Sequence, residues 1–417
     1  MMIKNSYTHL KLACYTTNIT MSIIGNLSPV LFLTFRALYG ISYTLLGLLI
    51  LINFITQLTI DLIFSFFSHK FNIPLAVRST PLIAVFGLLF YAMSPILFPQ
   101  NVYIGLVIGT IIFSASSGLA EVLISPVIAS IPSKDPDREM SKLHSIYAWG
   151  VVFVIVVSTL FLLVCGAENW QWLAVFFALV PLLSFILFLG SVIPQMETQE
   201  KVSGVLSFLK DKKLWVCFFA IFLGGAAECT MAQWSSGYIE QALGIPKVWG
   251  DIFGVALFAV MLGLGRSLYA KFGKNIRMIL FMGAIGASAC YLIAALVNIP
   301  IVGLLACAFT GFFVSMLWPG NLVVASERFP AGGVFIYAMM AAGGDLGASV
   351  APQLVGVITD IISENPTAIS FAQTLGFMPE QFGMKLGMLV GALFPLIAIP
   401  LYWHMIKADK KQTESIL

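Results

Sequence analysis

Long apolar runs follow one another along the whole chain, parted by short polar joints. They cover roughly residues 10–35, 39–67, 79–98, 102–131, 141–165, 170–193, 214–241, 250–272, 276–297, 300–328, 334–362 and 384–407. A hydrocarbon layer about 30 Å thick is crossed by about 20 helical residues, so each run is long enough to span it. The pattern predicts an all-α polytopic membrane protein with twelve transmembrane helices. The first run is too long for a signal peptide and lacks its small-residue cleavage site, so it is expected to be a retained helix.

Composition agrees with the pattern. Of 417 residues, 59% are hydrophobic and 10% charged, with a mean hydropathy of +0.97. The bilayer is the solvent for such a chain, and no stretch is left over for a soluble domain. The net charge of +3 gives no reason to expect nucleic acid as a partner. The placement of the basic residues says more than their number. Lys70, Arg78, Lys134, Arg138, Lys201, Lys210, Lys271, Arg277, Arg328 and Lys410 fall on one set of joints and tails, whereas Arg36, Lys247 and Lys385 occupy the other. Because basic joints are retained inside, both termini are expected in the cytoplasm of a protein of the cell (inner) membrane. Six cysteines stand singly in apolar runs without CxxC pairs, which points to packing, and neither a metal nor a cofactor is expected.

The longest inward joint, 194–213, carries the mixed stretch Val202–Lys213, which reads as a short amphipathic helix at the membrane surface. It divides the chain into six-helix halves, 1–193 and 214–417. Three local matches at nearly one offset support a duplication: Ser125-Pro126 with Trp318-Pro319, the HKFNIPLAVR joint with AKFGKNIR, and Ile146-Tyr147-Ala148 with Ile336-Tyr337-Ala338. Two pseudo-symmetric six-helix bundles follow, and sites in such folds lie near the midplane.

In its twelve helices, central linker and basic joints after helices 2 and 8, the chain resembles the major facilitator superfamily. Ser68 stands where that family usually has an Asp in the joint after helix 2. GLAEVLISP (118–126) resembles the fucose/proton symporter branch, with Ser125 in place of its Asn. NFITQLTID (53–61), LHSIYAWG (143–150), QWSS (233–236), WPGN (318–321) and GGDLGASVAPQLVG (343–356) resemble clostridial transporters of unassigned substrate. The resemblance implies the major facilitator fold and transport of a small molecule.

A carboxylate in the middle of a spanning helix costs about 2.5–3.5 kcal/mol on insertion scales, so each needs a partner, a proton or a wet cavity. Asp61, Glu121, Glu228 and Asp345 are in this position. They share helix faces with other polar residues at spacings of three and four. Asn18, Ser22 and Asn26 line helix 1; Asn53, Gln57 and Asp61 helix 2; Ser114, Ser117 and Glu121 helix 4; Asp345, Ser349 and Gln353 helix 11. Hydrogen bonds between helices account for Asn26, Ser114 and Ser117. Acids at the depth of Glu121 and Glu228 in helices 4 and 7 of this fold are expected to face the cavity. Glu121, Glu228 and Asp345 are the proton-coupling candidates, with Glu121 first.

Asn18, Asn53, Gln57, Gln233, Trp234, Trp318, Asn321 and Gln353 are the substrate-binding candidates: neutral hydrogen-bonding groups around flat rings suit a polar solute. Trp318 stands beside Pro319 and Gly320, which loosen helix 10, whereas packing explains Trp149. Arg266 reads either as a basic group reaching headgroups or as a charge partner of Asp345 or anchor of an anion. Asp61 reads as a gate or a contact between the halves, and His144 as a proton relay or a bond to a joint.

No HExxH, GxSxG or Gly-x-Gly-Asp pattern is present, so an enzyme is not expected, and no P-loop provides for ATP. The expected function is proton-coupled symport of a small polar solute, such as a sugar, by alternating access. Partners are that solute, protons and membrane lipids, and the working unit is a monomer. The alternative is a proton-coupled antiporter exporting drug-like or amphipathic compounds.

Overall fold

The computed structural model describes residues 2–67, 70–132, 136–194, 209–273, 275–329 and 333–414. Ser68 and most of the predicted linker helix lie outside them. Among the described residues, twelve helices are long and apolar enough to cross a membrane. They are α1 (Met2–Tyr39), α2 (Tyr43–Phe67), α3 (Ile73–Ala92), α4 (Val102–Ser130), α5 (Pro136–Cys165), α6 (Trp170–Leu189) and α7 (Lys212–Gln241). Then come α8, α9 (Ile276–Leu296), α10, α11 (Gly333–Glu364) and α12. Three of these are composite. α8 joins Lys247–Gly250, a π turn over Asp251–Ala256 and Leu257–Phe272; α10 joins Pro300–Val314 to Pro319–Arg328; α12 joins Pro379–Gly391 to Leu393–Glu414.

Two starts differ from the hydropathy reading for local chemical reasons. α3 begins at Ile73 rather than 79 because Asn72 accepts the Leu75 N–H at 3.1 Å and Pro74 stands in the first turn, where its missing N–H costs nothing. The 363–383 joint is not open loop: Asn365 accepts from Thr367 and Ala368 and starts a short helix, Pro366–Thr374. The duplicated joints share a device as well. Asn275 accepts the Met278 N–H at 3.2 Å and opens α9 as Asn72 opens α3.

The helices group into two compact units: Met1–Ile41 with Ile52–Ser203, and Ser42–Leu51 with Gly204–Leu417. The first ten residues of that second set are the approach to α2 and its opening turns. In the first unit α1 packs on α5 and α6, and α3 on α4 and α6. Its apolar core gathers Leu10, Cys14, Phe64, Val77, Leu123, Val127, Leu143 and Phe188. A second aromatic knot sets Phe35 edge-on to Trp170 at 4.9 Å, with the Trp170 N–H donating to Tyr39 Oη at 2.9 Å.

In the second unit α7 packs on α11, and α9 on α10 and α12. Buried phenols tie these helices together: Tyr238 donates to the Ala294 carbonyl and Tyr291 to the Ala227 carbonyl, at 2.5 and 2.7 Å. Hydrocarbon offers no water to these groups, so a neighbouring helix supplies the partner. Asp360 of α11 accepts the Tyr43 and Thr44 N–H groups, capping α2 from another helix.

Candidate functional site

The break in α10 organises the second unit. Pro319 has no N–H, so the carbonyl four residues earlier, that of Ser315, has no intrahelical donor. The chain turns at 315–318 before the helix resumes. Arg266 of α8 donates its Nε–H to the Ser315 carbonyl at 3.1 Å, and its Nη2 reaches Glu228 Oε1 of α7 at 3.1 Å. Three helices thus meet on one guanidinium. The Arg266 side chain keeps 33% of its surface, that of Glu228 14%, and Glu228 Oε2 has no hydrogen-bond partner among the described residues.

Trp318, three residues beyond Ser315, is partly exposed. Its ring lies over two glycines: a Cβ on Gly344 of α11 would come within 2.6 Å of it, and one on Gly225 of α7 within 3.0 Å. Gly225 precedes Glu228 by one helical turn, and Gly344 is the neighbour of the buried Asp345. The arrangement combines a positioned cation, a carboxylate and a flat ring beside a helix break.

The first unit has a carboxylate pair. One oxygen of Asp61 on α2 and one of Glu121 on α4 lie within 4.8 Å of each other. Asp61 is buried and Glu121 partly exposed. The helices come close there because residue 118 is Gly: a Cβ would stand 2.9 Å from the Gln57 carbonyl. One turn along, Ser114 donates to Asn53 Oδ1 at 2.5 Å.

Other predicted residues are occupied in packing. Trp234 is 1% exposed and donates its N–H to the Pro352 carbonyl at 2.8 Å. Asn321, also 1% exposed, bonds to Tyr402 Oη and the Leu317 carbonyl. Asn18 donates to the Leu143 carbonyl, bridging α1 to α5. Gln353 donates to the Thr44 carbonyl at 3.3 Å, and Gln57 and Gln233 are buried. Arg266 is held by Glu228, an acid the sequence reading did not pair it with. Trp149 is 68% exposed, not packed. The His144 side chain lies outside the described residues.

Three charged residues escaped the sequence reading. Asp251, in the π turn of α8, is fully buried against Lys247 at 3.1 Å, and Lys247 also donates to Ser236 at 2.7 Å. The spacing of four between Lys247 and Asp251 was the available signal. Asp360 caps α2 as described above. Lys385 is 6% exposed and reaches the Ala295 and Val297 carbonyls at the end of α9, at 3.3 and 3.4 Å, where the helix dipole is negative.

Comparison with known proteins follows the same lines. Solved structures align over almost the full chain at low identity, which shows the fold. A bacterial homologue of the human lysosomal transporter Spinster, inward-facing and occupied, is 15% identical, covers 97% of each chain and has a TM-score of 0.70. A D-xylose–proton symporter is 16% identical, covers 95% of this chain and 99% of its own, and scores 0.71. The E. coli fucose:proton symporter FucP is 16% identical, with 94% and 99% covered and a score of 0.58. No curated protein matches the chain by sequence. The model of one family, a family of transporters, matches residues 13–352, and on that match the chain belongs to the major facilitator superfamily.

Proposed function

We propose that the protein is a proton-coupled secondary active symporter that moves a small polar solute, of the size of a sugar, by alternating access. It works as a monomer in the cell membrane with both termini in the cytoplasm. The observation that carries the reading is the Asp61–Glu121 pair, two carboxylate oxygens within 4.8 Å on adjacent spanning helices. At this separation two negative charges in a poor dielectric repel strongly, and one shared proton relieves them. No basic side chain is bridged to Glu121 among the described residues. A carboxyl that takes and gives a proton on opposite sides of the membrane is what a proton gradient needs to do work. Glu228, already held by Arg266, then serves the solute site together with Trp318.

Two of the solved structures similar in fold are a D-xylose–proton and a fucose:proton symporter, which supports a sugar-sized solute and a proton. Uptake of labelled sugars into vesicles under an imposed pH gradient tests the reading. The wild type should accumulate its solute against a gradient, and Glu121→Gln should only equilibrate it. A Glu121→Gln protein that still concentrates solute sinks the proposal.

A further inference from the structure

The guanidinium of Arg266 is fixed on one edge and open on the other. Its Nε–H is bound to the Ser315 carbonyl and one Nη2–H to Glu228 Oε1. These are the two donors of the side-on edge of the planar fork. The end-on edge, Nη1 with the second Nη2–H, has no partner among the described residues, and the side chain is one-third exposed. Two parallel N–H donors spaced this way match the two oxygens of a carboxylate.

A solute carboxylate arriving there would give the site one cation and two anions. In a medium of low dielectric that excess charge is costly unless a proton comes with it. Glu228 is the group placed to take one. Its Oε2 is buried without a hydrogen-bond partner among the described residues, and its Oε1 sits on the Nη2 that the solute would share.

We infer that Arg266 is the anchor for a carboxylate-bearing solute, and that Glu228, on the neighbouring edge of the same guanidinium, takes a proton when the solute binds. The inference rests on the reading of the protein as a symporter and narrows its cargo from a polar solute to an organic acid. Charge and atoms balance simply. The solute carboxylate binds the end-on edge and weakens the Glu228 contact, and Glu228 takes one proton from the water that admitted the solute. On the far side Glu228 returns that proton to water, tightens again on Nη2 and expels the solute. At this site one carboxylate enters with one proton, beside the proton carried at Glu121, and the Arg266 site keeps the same net charge in both states. Trp318 offers its face to the rest of the solute, so acids with a flat ring or a sugar ring are favoured.

The experiment uses the purified full-length protein in detergent and reads thermal stabilisation by D-gluconate, D-glucuronate, lactate and benzoate. Glucose, xylose, lactamide and benzamide are their neutral counterparts. We expect at least one acid to stabilise the protein where its neutral counterpart does not. Its apparent affinity should rise as the pH is lowered from 8 to 6, by about ten-fold per unit at the limit of one proton. Arg266→Gln should weaken that binding by about ten-fold or more, with partial rescue in Arg266→Lys. Glu228→Gln, which keeps the shape of the side chain, should bind the acid with no pH dependence. That signature does not follow from a merely structural role. Stabilisation by neutral solutes alone, by no acid in the set, or with an unchanged pH dependence in Glu228→Gln overturns the inference. If Glu121-dependent sugar accumulation persists in that case, the symporter reading stands and only the carboxylate anchor falls.

Discussion

Removing one charge from the Glu228–Arg266 pair should cost far more stability than removing both. The pair spans α7 and α8 at 3.1 Å, and Glu228 retains only 14% of its side-chain surface. Arg266→Met leaves a carboxylate in a poor dielectric with its cation gone, and loss of one partner from a buried pair costs about 3–5 kcal/mol. Arg266 is one-third exposed, so water screens part of the interaction and about 2–3 kcal/mol is the better figure. The double variant Arg266→Met with Glu228→Leu removes both charges and fills the space with apolar atoms. It should lie within about 1 kcal/mol of the wild type.

Thermal unfolding in detergent with a thiol-reactive dye suits this chain, because Cys14, Cys217, Cys290 and Cys307 are buried and react only on unfolding. At about 2–4 °C per kcal/mol for a unit of this size, the single variant should melt about 4–12 °C lower, and the double variant should recover most of that. A double variant at least as unstable as Arg266→Met alone would refute the account of the pair as two charges that compensate each other.

Two further outcomes concern the frame around the sites. Gly347→Ala would put a Cβ 2.0 Å from the Phe222 carbonyl oxygen, forcing α7 and α11 apart at about 1–3 kcal/mol, whereas Gly190→Ala, whose nearest neighbour is 4.0 Å away, should melt as the wild type does. Glu139 lies ahead of the membrane-spanning part of α5, and the Lys11 ammonium at 3.0 Å, helped by Tyr15 and Lys142, holds its carboxyl below the ordinary range. Its folded form prefers the charge, so its stabilisation is present above the ordinary carboxylate value of about 4.3 and is lost as pH falls through the lowered folded value. Glu139→Gln should accordingly flatten the fall in stability as the pH drops below about 4.3, and an unchanged acid slope would count against the ion pair.

Spanning helices were legible from sequence because the cost of exposing a backbone to hydrocarbon forces each crossing into one long apolar run. The loosening of α10 was legible too, since Trp318-Pro319-Gly320 removes a donor at a known place. Partner choice was not. Glu228 and Arg266 are 38 residues apart in sequence, and nothing in the periodicity of α7 or α8 says which acid the arginine meets. Depth alone misled at Trp234 and Asn321, because a polar group at mid-membrane satisfies itself as readily on a neighbouring helix as in a cavity. Asp251, Asp360 and Lys385 were passed over for the opposite reason: they stand near helix ends, where hydropathy assigns them to water, yet each is buried against a specific partner. The capping asparagines Asn72 and Asn275 were visible as parts of matching joints, and only the backbone showed what they do.

The anchor that holds Arg266 on α10 is a main-chain oxygen, and this changes how the site responds to mutation. A small side chain of any chemistry can replace Ser315, buried against Gly265, without deleting that acceptor, so position 315 is sensitive to bulk and not to its hydroxyl while the guanidinium stays pinned. The vulnerability passes to position 319, four residues away, where any residue other than proline restores an N–H that competes for the same oxygen. A scan that scores only side chains touching the arginine would overlook position 319, where a substitution loosens it from that carbonyl.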